Sequence, residues 1–91
     1  MHAVVVRVTV NDDERGRRML NEEVVPRAKQ APGFVAGYWT RSGSDESGLS
    51  MIVFESEEGA NAAAQMIQQG PPDPEAVTLE GVEVREVIAS A

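Results

Sequence analysis

The sequence predicts an α+β fold of ferredoxin-like type: a four-stranded antiparallel sheet with two helices on one face. Three observations carry that expectation. Runs rich in β-branched or aromatic residues at His2–Thr9, Phe34–Arg41, Leu49–Glu55 and Val82–Ala89 read as strands. Two stretches with helical spacing and acidic starts lie between the first and second strands and between the third and fourth. The resulting βαββαβ order is the split βαβ arrangement. At 91 residues the chain has room for one small domain, residues 1–91.

In the first strand, Val4, Val5, Val6 and Val8 are interrupted only by Arg7. A run this apolar asks for cover on both faces. Asn11 is the expected cap of the first helix, with Glu14 three residues on completing a capping box. Asp12, Asp13 and Glu14 complement the helix dipole. Met19, Leu20, Val24 and Ala28 share one face. Pro26 falls inside that pattern. It lacks an N–H and clashes with the carbonyl four residues back, which predicts a kink or break at Glu22–Val25. Pro32 closes the helix, because a residue before proline avoids the helical region.

The second strand alternates Phe34, Ala36, Tyr38 and Thr40 against Val35, Gly37, Trp39 and Arg41. Ser42–Gly48 is a turn by composition. The third strand follows with Leu49, Met51 and Val53 against Ile52 and Phe54, so the two strands form a hairpin. Ser56 caps the second helix, and Glu57 and Glu58 occupy its first turn. Its stripe of Ala60, Ala63, Ala64 and Ile67 lets it lie close to the sheet. Gly70–Pro74 ends it. Met19, Met51 and Met66 are expected in the core, where methionine also suits an adaptable ligand cavity.

Composition narrows the function classes. The chain has no cysteine and one histidine. Disulfide scaffolds, thiol nucleophiles and sites needing two or three imidazoles are excluded, so no bound transition metal is expected. No stretch approaches the ~20 apolar residues of a membrane helix. The first ten residues lack the charged start and small-residue cleavage site of a signal peptide, and a cytoplasmic location is expected. The net charge is −7. Residues 1–41 carry seven basic against five acidic side chains, and residues 42–91 carry one against ten. Such an acidic surface suits neither nucleic acid nor anionic lipid.

With both helices on one face, the other face of the sheet is left without cover from this chain. Val35, Trp39, Ile52, Phe54 and Val87 are positions that could lie there. Large exposed apolar faces mark association sites, so a homodimer closed by sheet-to-sheet packing is expected.

The stretch Val24–Phe34 with its Pro-Gly-Phe ending, the Tyr38-Trp39 pair, and Met51-Ile-Val-Phe-Glu-Ser-Glu-Glu-Gly-Ala60 together resemble the antibiotic-biosynthesis monooxygenase family. The resemblance covers nearly the whole chain in element order. It implies a dimeric α+β barrel. The superfamily includes cofactor-free oxygenases, haem-degrading enzymes, cyclases and proteins without an assigned role. The haem-degrading branch uses an asparagine on the first strand, a tryptophan on the third and a histidine on the second helix. Here Asn11 lies beyond the first strand, Phe54 stands on the third and the second helix has no histidine, so the resemblance points away from haem.

The oxygenase branch implies no cofactor, and a dry apolar cavity between sheet and helices with a few polar groups that stabilise the anion of an aromatic or polyketide-like substrate. Trp39 is a candidate for the pocket wall or the dimer interface. Tyr38, if it shares the face of Phe34, is a candidate whose hydroxyl reaches a substrate oxygen. His2 is the candidate acid–base group. Asn21, Asn61, Arg7 and Arg85 are further polar groups. Asn21 and Asn61 are expected to face solvent, and Arg7 to pair with Glu83 or Glu86 on the neighbouring last strand, with anion binding as the alternative role for Arg7 and Arg85. The alternative is a non-catalytic ligand-binding or assembly module on the same dimeric fold. A closed pocket with a polar group pointing into it separates the two readings.

Overall fold

The structure is a computed structural model and describes residues 1–91. The chain runs through β1 (His2–Val10), α1 (Asp13–Met19), a π-helical segment (Leu20–Val24), α2 (Val25–Gln30), β2 (Phe34–Arg41), β3 (Ser47–Phe54), α3 (Glu57–Ile67) and β4 (Val77–Glu86). The four strands form one antiparallel sheet in the order β2-β3-β1-β4. This is the ferredoxin-like α+β arrangement that the sequence predicts.

β1 is a central strand, paired with β3 on one side and β4 on the other. That position explains its apolar run: Ala3, Val4, Val5 and Val6 are all buried. Directly paired residues share a sheet face, and faces alternate along each strand. Val4, Ile52 and Val84 therefore lie together under the helices, and His2, Phe54 and Glu86 share that face, with Glu86 exposed at its edge. Phe54, 1% exposed, packs edge-on against Phe34 with centroids 6.3 Å apart. Ala60 and Ala64 of α3 meet Val4, Val6, Ile52 and Phe54 in the main core. Their small side chains bring the helix onto the sheet.

The helix caps differ in one place from the sequence reading. Asp12, not Asn11, caps α1, its carboxylate accepting from the Arg15 N–H at 3.0 Å. Asn11 instead donates to the Thr78 hydroxyl at 2.9 Å, tying β1 to β4. Ser56 caps α3 as expected, accepting from the Gly59 N–H. The irregularity expected near Pro26 is the π-helical segment. The Val25 N–H reaches back five residues to the Leu20 carbonyl. Proline has no N–H to continue the ordinary ladder, and a widened turn absorbs the mismatch. At the end of α2, Gly33 takes φ of +79° before Phe34, a conformation only glycine adopts without strain.

Two bulges change which residues face which way. In β2, Phe34 pairs with Phe54 and Ala36 with Val53, so Val35 is an extra residue. In β4, Leu79 pairs with Val8 and Gly81 with Arg7, so Glu80 is extra. Each extra residue reverses the phase of the alternation. Trp39 consequently lies on the helix side of the sheet, as do Ile52 and Phe54 of the unbulged β3, and not on the open face that the sequence suggested for them. Tyr38 lies on the open face with its partner Met51. Met51 and Met66 are exposed, so of the three methionines Met19 alone is core. β4 begins at Val77, five residues before the expected start, and ends before Val87.

Candidate functional site

Between the sheet and the helices lies a cavity of about 650 Å³, lined mainly by apolar side chains. Val6 and Val8 of β1 with Ile52 and Phe54 of β3 form its floor. Gly16, Leu20, Val24 and Ala28 of the helical run form one wall, and Ala63, Met66 and Ile67 of α3 another. Met19, Leu20, Val24 and Ala28, the stripe visible in the sequence, all border it. Pro71 and Pro72 contribute from the loop that follows α3. That loop is tied to α1 by a bidentate pair, with Arg15 Nε and Nη2 donating to the Asp73 carboxylate at 3.0 and 2.8 Å.

Two polar side chains interrupt the apolar lining on the sheet side. Trp39 and Ser50 are direct cross-strand partners, and both border the cavity. Ser50 is 7% exposed, and its hydroxyl makes no hydrogen bond to the chain yet is not sealed off. The Trp39 indole lies across Gly37. A Cβ built on Gly37 would stand 2.7 Å from the far edge of the indole. Gly37 is therefore the residue that allows the ring to lie flat on its own strand.

Charge collects at the cavity. Arg17, Arg27, Arg41 and Asp13 border it. The Asp13 carboxylate joins two of the arginines, accepting from Arg17 Nε at 2.7 Å and lying 3.1 Å from Arg41 Nε. Six of the seven arginines lie within 4.0 Å of a carboxylate, and Arg27 does not.

The candidate residues named from sequence fall in different places. Trp39 lines the cavity. Tyr38 does not: it is 71% exposed on the open sheet face, because the Val35 bulge separates its phase from that of Phe34. His2 also stands outside the cavity. Its Nε2 lies 3.8 Å from the Glu57 carboxylate, and its buried Nδ1 has no partner. Asn21 is spent on the Arg17 carbonyl, and Asn61 is exposed. Arg7 and Arg85 both approach Glu83, at 3.8 and 2.7 Å, on the open face. No group of three His, Cys, Asp or Glu side chains is placed to hold a metal ion. No helix is long and apolar enough to cross a membrane.

Sequence reasoning missed Ser50 and the three cavity arginines. For Ser50 the available signal was a hydroxyl in step with Ile52 and Phe54 on an otherwise apolar strand. For the arginines no sequence pattern existed, since helical and strand segments far apart in the chain contribute them.

No family model matches the sequence, and no curated protein matches it. The chain is similar in fold to the crystal structure of HapK from Hahella chejuensis, with a TM-score of 0.69 and 9% identity. The match covers 100% of this chain and 96% of that one. At that identity the likeness shows the fold alone. It fits the fold implied by the monooxygenase resemblance without naming that family.

Proposed function

We propose that this chain binds a planar, largely apolar small molecule, of aromatic or polyketide-like type, between its sheet and its helices. One observation carries the reading: the cavity of about 650 Å³ with Trp39 and the unpartnered Ser50 hydroxyl side by side on its wall. Small-molecule pockets typically measure about 300–1,000 Å³ and combine apolar walls with few polar groups.

The finer reading is that the chain is an antibiotic-biosynthesis monooxygenase-like oxygenase that works without a cofactor. In such chemistry the substrate anion itself passes an electron to oxygen. The protein's part is to exclude water and stabilise the anion. The apolar lining and the bordering arginines support that role. His2 and Tyr38 take no part in it, because both stand outside the cavity. The test is a titration of the protein with polycyclic phenols and quinones, followed by Trp39 emission, with oxygen uptake measured for each ligand that binds. Saturable quenching with uptake supports the oxygenase. Saturable quenching without uptake leaves a non-catalytic binding module. No quenching by any ligand refutes both.

For the open sheet face we infer a second copy of the chain as the partner. Val35, Tyr38, Leu49 and Met51 are exposed along β2 and β3. On the β1–β4 half of the same face, Arg7 and Arg85 are balanced by Glu80 and Glu83. A protein of net charge −7 thus has one face that is apolar and charge-balanced, and it can meet its own copy without repulsion.

A further inference from the structure

We propose that the ligand of this cavity is an anion, an apolar molecule whose carboxylate, phenolate or similar oxyanion rests against Arg27. The inference builds on the binding reading above and names the class of molecule it takes. The chain is acidic overall, at −7, yet three of its eight basic residues border one cavity, opposed there by Asp13 alone. The two halves of that charge set are not equivalent. Asp13 already holds Arg17 and Arg41 in place, and each guanidinium retains further N–H donors. Arg27 has no carboxylate partner, whereas every other arginine of the chain has one.

In a chain with 15 acidic residues, an arginine without a counter-ion is conspicuous. Guanidinium is weakly hydrated and offers a planar pair of donors matched to an oxyanion. The acidic remainder of the protein repels anions, so the cavity is where a small anion gains most.

The experiment uses two fluorescent probes that share one carbon skeleton. Phenylnaphthylamine is neutral, and anilinonaphthalene sulfonate carries one negative charge. Both are titrated into the full chain and into Arg27→Gln and Lys29→Gln. Lys29 lies on the same helix but does not border the cavity, so its variant controls for loss of one positive charge. Arg27 is exposed and unpaired, and an unchanged unfolding transition verifies that its variant folds. The expected result is that Arg27→Gln weakens the anionic probe about tenfold, the loss of one charge-assisted hydrogen bond. The neutral probe changes less than about twofold, and Lys29→Gln changes neither. Added salt weakens the anionic probe alone. Equal losses for the two probes, or no loss for either, overturn the anion inference and leave the pocket reading standing. Failure of both probes to bind the unaltered chain overturns the pocket reading and this inference together.

Discussion

Trp39 and Ser50 face each other across β2 and β3, on the side of the sheet that the helices cover. An indole and a hydroxyl at directly paired positions put two polar side chains side by side on an otherwise apolar wall. Neither makes a side-chain hydrogen bond within the chain, while Trp39 also packs against the main core.

Ser50→Ala is expected to leave stability within about 1 kcal/mol of the parent, because the hydroxyl removed has no partner in the chain. Affinity for a polycyclic phenol falls about three- to tenfold, the contribution of one hydrogen bond. Thermal unfolding and ligand titration of the same variant check the two halves. A large fall in stability with unchanged affinity would mean that Ser50 is structural.

Gly37→Ala acts through Trp39. The added methyl meets the far edge of the indole, and the ring, not the backbone, is what gives way. The expected cost is about 1 kcal/mol, at the low end for overpacking. Trp39 emission shifts and ligand affinity falls, because the ring no longer lies in its place on the cavity wall. Emission identical to the parent would place the indole elsewhere.

Element order was legible in the sequence because strands and helices there have clear periods and capping residues. Sheet faces were not, because two single-residue bulges set them. Val35 puts Tyr38 out of phase with Phe34, so the tyrosine chosen for the pocket points to the open face. Glu80 puts Val77 and Leu79 out of phase with Val82 and Val84, which hid the first half of β4 from any reading by strict alternation. A bulge has no fixed residue signature beyond an occasional glycine, and Gly81 sits beside only one of these two.

The open face yields its own expectation. The unaltered chain sediments as a dimer at micromolar concentration, and Met51→Lys, which sets a charge amid the exposed residues of β2 and β3, shifts it to monomer. Met66→Lys, exposed on α3, leaves the dimer intact. Analytical ultracentrifugation of the three proteins decides. A monomeric parent would end the dimer proposal.

The hairpin turn has a pH signature. The Ser47 hydroxyl and backbone N–H both donate to Asp45, which lowers its pKa from the ordinary 3.8. A depressed carboxylate stabilises the folded state fully above its unfolded pKa and loses that contribution as pH falls through its folded pKa. The turn is therefore expected to loosen only below about pH 4, where the carboxylate takes up its proton. A carboxyl-detected NMR titration should place the Asp45 midpoint below that of a model aspartate. A midpoint at or above it would contradict the bonding at the turn.

The most direct test of the cavity as the binding site uses the single tryptophan, which gives one indole N–H resonance in a nitrogen-15 NMR spectrum. Phenylnaphthylamine is titrated in while that resonance is followed beside the backbone amides of Tyr38 and Met51. The expected result is that the Trp39 indole and the Ser50 amide shift saturably, with Tyr38 and Met51 nearly still. Shifts confined to Tyr38 and Met51, with Trp39 unmoved, would put the ligand on the open face and contradict it.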